Sequence, residues 1–144
     1  MNRIAIITGA TSGIGEATAL LLAQNNFSLI LTGRRNERLM LLKEKISEIS
    51  LSKVLLLNFD IRSQKDTETA INNLPDNWKK IDVLLNNAGL AAGFSTVQDG
   101  IIDDWERMID TNIKGLLYIT RIVSPLMIKR GSGHIINISS IAGK

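Results

Sequence analysis

Apolar residues along this chain come in two kinds of run. Short, nearly unbroken stretches such as Ile4-Ala5-Ile6-Ile7, Val54-Leu55-Leu56-Leu57 and Val83-Leu84-Leu85 read as strands covered by helices on both faces. Longer segments between them carry apolar residues at steps of three and four, the period of a helix that buries one side. The pattern predicts strands near 3–8, 28–32, 53–58, 81–85 and 133–138, and helices near 14–25, 35–49, 63–74 and 103–129. Strand and helix in regular alternation argue for βαβ units, hence an α/β fold with a doubly wound parallel sheet. No repeat, low-complexity tract or linker interrupts the alternation, so residues 1–144 read as one domain.

Two helices carry further detail. The segment 35–49 turns Leu39, Leu42, Ile46 and Ile49 inward, and in 103–129 the residues Trp105, Met108, Leu116, Ile119, Val123 and Leu126 form one stripe. Asn112 falls on that stripe between Met108 and Leu116. A buried amide costs free energy unless it is bonded, so a polar residue there asks for a reason.

The first strand runs into Thr8-Gly9-Ala10-Thr11-Ser12-Gly13-Ile14-Gly15, and a helix begins at once. Three glycines let the backbone turn tightly, approach a ligand and pack the helix closely on the strand. The helix then directs its free N–H groups and positive end at a pyrophosphate. A glycine-rich turn without a ligand is the alternative, and the position at the opening of a βαβ unit favours the ligand. A P-loop is excluded, because no Gly-Lys-Ser/Thr comes after the glycines.

The second strand ends Thr32-Gly33-Arg34-Arg35, with no acid before Glu37. A carboxylate here would bond a ribose 2′-hydroxyl and repel a 2′-phosphate, whereas two guanidiniums can form charge-assisted bonds to that phosphate. The expected cofactor is therefore NADP, unless Arg34 and Arg35 are merely solvated residues at the start of the next helix.

Composition narrows the rest. The chain is 44% apolar, 22% charged and only 4% aromatic, with a net charge of +3. It lacks the basic face with interleaved aromatics of a nucleic-acid binder, and no apolar run approaches the roughly 20 residues that span a bilayer. The apolar start Ile4–Ile7 is too short for a signal-peptide core. With no cysteine there are no disulfides or thiolate metal sites, which fits the cytoplasm. The single histidine, His134, has no carboxylate or second histidine at metal-ligand spacing, so no metal site is expected.

Taken together, TGATSGIG (8–15), FDIR (59–62), NNAG (86–89), DTN (110–112) and HIINISS (134–140) resemble the motifs of the short-chain dehydrogenases/reductases. The resemblance implies a Rossmann-type doubly wound sheet. It implies that Asn86, Asn87, Ala88 and Gly89 sit at the topological switch point, where the amides hold the strand end and meet the cofactor's ribose and Gly89 lets the backbone pass close. It implies that Asp60 contacts the adenine with the backbone of Ile61 beside it. Capping of the next helix by Asp60 or Ser63 is an equally good and compatible account. The stretches Gly33-Arg34-Arg35-x-Glu37-Arg38-Leu39, Leu74-Pro75 to Trp78, Asn86 to Ala91 and Asp104 to Leu116 are similar, within the family, to NADP-dependent 3-hydroxy acid dehydrogenases that act on serine or allo-threonine.

The implied chemistry is hydride transfer between NADP(H) and a small hydroxy compound. Ser140 matches the family's catalytic serine. Asn112 matches its catalytic asparagine, which would open the helix locally and hold a water, with a satisfied core asparagine as the alternative. The family completes its site with Tyr-x-x-x-Lys. The only tyrosine, Tyr118, has Ile122 four residues on, and Lys144 comes too early to replace the missing lysine. The chain is thus expected to be the dinucleotide-binding front of such an enzyme, its sheet truncated after the fifth strand and inactive alone. A non-catalytic dinucleotide-binding module is the alternative, and an epimerase-type relative is disfavoured by the glycine spacing. The expected partners are a small-molecule substrate and, in a full-length form, further copies of the chain.

Overall fold

Ile4 to Ile7 are all buried, which is possible only for a strand flanked on both edges and covered on both faces. In the computed structural model, which describes residues 2–141, this strand, β1, is central. The elements are β1 (Ile4–Ile7), α1 (Gly13–Gln24), β2 (Ser28–Gly33), α2 (Asn36–Ile49), β3 (Val54–Asn58), α3 (Gln64–Asn72), β4 (Ile81–Asn86), α4 (Ile102–Ile109), α5 (Leu116–Arg130) and β5 (His134–Asn137). The strands are parallel and lie in the order β3-β2-β1-β4-β5. The order reverses at β1, so the crevice opens between the carboxyl ends of β1 and β4.

Because successive strand residues face opposite ways, β1 divides its side chains between two cores. Ala5 and Ile7 join Leu29 and Leu31 against Ala19 and Ala23 of α1 and Leu39, Leu42 and Ile46 of α2. Ile4 and Ile6 join Ile30 and Leu84 against Ile71 of α3 and Ile119, Val123 and Met127 of α5. The sheet's other end is clamped by Asp82. Its Oδ2 accepts the Ile4 N–H at 2.7 Å and its Oδ1 accepts Arg130 Nη2 at 2.8 Å, while Arg130 Nη1 donates to the Ile81 carbonyl at 2.8 Å.

Three expectations from periodicity are corrected. Ile49, in the last residue of α2, is 45% exposed, because the final turn of that helix runs past the packed face. The predicted helix over 103–129 is continuous but not uniform, since Asp110–Gly115 form a π-helical turn between α4 and α5. The wider turn slips the register, so the buried positions run Thr111, Gly115, Ile119, Val123 and Met127, with Leu126 only packed beside the core. α4 buries no residue; Trp105 is 36% exposed and lies over Gly100, where a Cβ would collide with its ring. Asn112 is accordingly exposed rather than buried. Among the described residues no helix is long and apolar enough to cross a membrane.

Candidate functional site

The carboxyl ends of β1 and β4 are laced together by side chains. Thr8 is buried, and its N–H donates to the Leu85 carbonyl at 3.1 Å. Its hydroxyl donates to the same carbonyl at 3.3 Å and accepts the N–H groups of Asn87 and Ala88 at 3.0 and 2.9 Å. Asn87 Nδ2 returns bonds to the carbonyls of Thr8 and Gly9 at 3.0 and 3.1 Å. The approach is so close that a Cβ on Gly9, whose φ is +62°, would lie 2.8 Å from Ala88 Cα. Gly15 packs against the Gly9 carbonyl and the Asn87 amide, and Ala10, fully buried, donates its N–H to the Thr32 carbonyl at 3.1 Å.

Gly13 differs from its neighbours. Its φ is +56°, and nothing lies within 4 Å of where its Cβ would stand. Ser12, the N-cap of α1, makes no side-chain cap bond, although the first-turn N–H groups of a helix have no intrahelical acceptor. The start of α1 therefore has no side-chain cap from Ser12, and the space over Gly13 is open.

At the end of β2, Arg34 and Arg35 are exposed, and Arg35 Nη2 donates to Thr11 Oγ1 at 2.9 Å. Across the opening, Asp60 is gripped by Arg62. Nε donates to both carboxylate oxygens at 3.0 Å, Nη2 donates to Oδ2 at 2.6 Å, and the Arg62 N–H reaches Oδ1 at 3.0 Å. These bonds hold the Asp60 carboxyl below its ordinary value of 3.8; partial burial opposes them, and the charges of Arg62 and Arg34 assist. The cap of α3 belongs to Ser63, whose hydroxyl accepts the Asp66 N–H at 3.2 Å. Of the two candidates for capping, Asp60 is thus left facing the cleft.

Towards β5, Asn86 Nδ2 donates to Thr120 Oγ1 of α5 at 2.9 Å and to Asn137 Oδ1 of β5 at 2.8 Å. Its own Oδ1 and the Thr111 hydroxyl are buried with no partner among the described residues. Asn112 spends both ends of its amide on one residue: Oδ1 accepts the Leu90 N–H at 2.9 Å and Nδ2 donates to the Leu90 carbonyl at 2.8 Å. Ser140 stands beside Ser139 just past β5.

One cleft of about 790 Å³ connects these groups, and Gly9, Thr11, Ser12, Ile14, Arg34, Arg35, Asp60, Ile61, Asn86, Asn87, Ala88, Gly89, Asn112 and Ser140 all line it. Of the residues singled out in the sequence, Ala10, Gly13 and Gly15 do not line it, the first and last because they are packed beneath the turn. The volume is that of a small-molecule site. Backbone donors, two guanidiniums and two unpartnered buried oxygens suit an extended anionic ligand that also carries hydroxyl groups. The sequence reading missed Thr8, which stands inside the glycine motif itself, and Arg62, which lies two residues past Asp60. It also missed Leu90, which no local pattern distinguishes.

A model of the short chain dehydrogenase family matches residues 3–144. An NADP-dependent 3-hydroxy acid dehydrogenase of Salmonella typhi is 48% identical over 140 residues, covering 97% of this chain and 55% of that protein. Sulfoacetaldehyde reductase 2 of Chromohalobacter salexigens is 45% identical over 145 residues, covering 100% of this chain and 57% of that one. The closed form of a serine dehydrogenase complexed with NADP+ is 44% identical and superimposes with a TM-score of 0.91, covering 97% of this chain and 55% of its own. The chain thus spans about half the length of the curated relatives it matches. With a family match over nearly all its residues and relatives of this similarity, the chain belongs to the short-chain dehydrogenase family.

Proposed function

We propose that this chain is the dinucleotide-binding part of an NADP-dependent oxidoreductase acting on a small hydroxy compound, a 3-hydroxy acid such as serine or allo-threonine. The observation that carries this reading is that one cleft joins these groups. It has a glycine turn at a helix start, two arginines and no carboxylate at the end of β2, and Ser140 with Asn112 at its far end. The similarity to an NADP-dependent 3-hydroxy acid dehydrogenase and to a serine dehydrogenase complexed with NADP+ supports the cofactor and the substrate class.

Gly13 and the first turn of α1 hold the pyrophosphate, and Arg34 and Arg35 take the 2′-phosphate. Asp60 and Ile61 meet the adenine; Asn86, Asn87, Ala88 and Gly89 meet the ribose. The unpartnered Asn86 Oδ1 and Thr111 hydroxyl are satisfied by ligand hydroxyls or by water ordered with the ligand. Bound NADP(H) supplies or accepts the hydride. The Ser140 hydroxyl donates to the substrate oxygen as negative charge develops there. Asn112, whose amide is committed to Leu90, positions the segment after Gly89 along the cleft wall. Residues 1–144 contain no Tyr-x-x-x-Lys, and Tyr118 lies on a groove with Gln64 and Glu68 of α3, away from the cleft. That favours a second reading for these residues taken alone, a dinucleotide-binding module without catalysis. A cysteine-free chain suits the reducing cytoplasm, and the exposed Ile102, Trp105 and Ile109 of α4 suit self-association of the whole enzyme.

Fluorescence titration tests the cofactor: NADPH binds at least about tenfold more tightly than NADH, and equal affinities overturn the assignment. The reaction is tested with serine and allo-threonine, using the chain alone and the chain joined to the remaining half of the Salmonella typhi relative. Activity in the longer protein only, lost by a factor of about 100 or more in Ser140→Ala, is the expected result. No turnover in the longer protein rejects the catalytic reading.

A further inference from the structure

We infer that Thr11 is a selectivity-determining positioning residue, whose hydroxyl holds the Arg35 guanidinium over the cleft in readiness for the 2′-phosphate. This inference rests on the NADP reading above and adds how that phosphate is recognised.

An exposed arginine samples many rotamers, and ordering it on binding costs conformational freedom. Arg35 is already tied down. Its Nη2 donates to Thr11 Oγ1 at 2.9 Å across 24 residues of sequence, joining the end of β2 to the glycine turn. Thr11 is itself held in place. It is β-branched and therefore stiff at χ1, and its Cγ2 sits so close to Gly33 that a Cβ there would lie 2.8 Å away. The hydroxyl accepts from the guanidinium with a lone pair and keeps its proton for an anionic oxygen. Thr11, Gly33 and Arg35 all line the cleft, so the clasp closes where the adenosine side of the ligand lies.

The neighbouring arginine is placed differently. The charge of Arg34 acts on Asp60, on the opposite side of the opening, and among the described residues no bond joins Arg34 to the glycine turn. Arg35 is the preorganised member of the pair, and Thr11 is what preorganises it.

Thr11→Val removes the hydroxyl and keeps the branched shape against Gly33; Thr11→Ser keeps the hydroxyl. Dissociation constants for NADPH and NADH are measured by nucleotide fluorescence on the full chain and both variants, with circular dichroism confirming the fold of each. Thr11→Val is expected to weaken NADPH about five- to tenfold more than it weakens NADH, with Thr11→Ser close to the parent chain. An equal loss for both nucleotides in Thr11→Val, or no loss for either, overturns the inference, as does Thr11→Ser behaving like Thr11→Val. If the unsubstituted chain does not distinguish the two nucleotides, the NADP reading itself fails and takes this inference with it.

Discussion

Two glycines in one turn have opposite requirements. Gly9 has no room for a methyl group and Gly13 has nothing around it, yet both have positive φ. Gly9→Ala sets backbone strain on top of a clash with Ala88 and should lower stability by about 3 kcal/mol. Gly13→Ala meets only the strain, about 1 kcal/mol, and puts a methyl group into the open space at the start of α1. Chemical denaturation paired with NADPH titration separates them: the first variant loses mainly stability and the second mainly binding. Asp60 offers a residue-scale test in pH. Its native carboxyl titrates below the ordinary value of 3.8, so the stabilisation from Arg62 is complete above that value and disappears as pH falls through the depressed native one. Arg62→Gln should move the Asp60 carboxyl back towards 3.8 in an NMR titration and lower stability at neutral pH, the deficit shrinking as pH falls through the depressed native value.

Elements were legible where one physical period governs a whole segment. The strands declared themselves because Ile4–Ile7 and Leu84-Leu85 face helices on both sides, and α2 because Leu39, Leu42 and Ile46 follow steps of three and four. The same logic misplaced Asn112. A uniform period cannot anticipate the wide turn at Asp110–Gly115, after which the buried positions run Gly115, Ile119, Val123 and Met127. At the cleft, the glycine turn and the arginines were readable because their chemistry sits in consecutive residues. The bonds from Thr8 to Asn87 and from Arg35 to Thr11 were not, because they depend on segments 79 and 24 residues apart meeting in space. Asn112→Ala tests the element directly. Releasing both Leu90 bonds should speed amide hydrogen exchange of Leu90 about fivefold, matching roughly 1 kcal/mol, while the amides of β1 stay protected.

At the scale of the whole molecule, the sheet is fastened at opposite ends by different means. Thr8, Asn86 and Asn87 lace the end that forms the cleft, and Asp82 with Arg130 and the Ile4 N–H fastens the other. Asp82→Ala should cost about 2 kcal/mol, a fall in Tm of roughly 8 °C, without changing nucleotide affinity, since no atom of the clamp lines the cleft. Thermal melts beside NADPH titrations check both halves of that statement. Burial is also uneven across the sheet. β1 is sealed on every side, whereas β5 pairs with β4 alone among the described residues and leaves most of its side chains uncovered. For residues 2–141 taken alone, the margin that carries Ser140 is thus the part expected to exchange its amides first. A nucleotide seated on the glycine turn and touching that margin would act as a brace, and the added rigidity would register most strongly in the amides of His134–Asn137, far from the phosphates that anchor it.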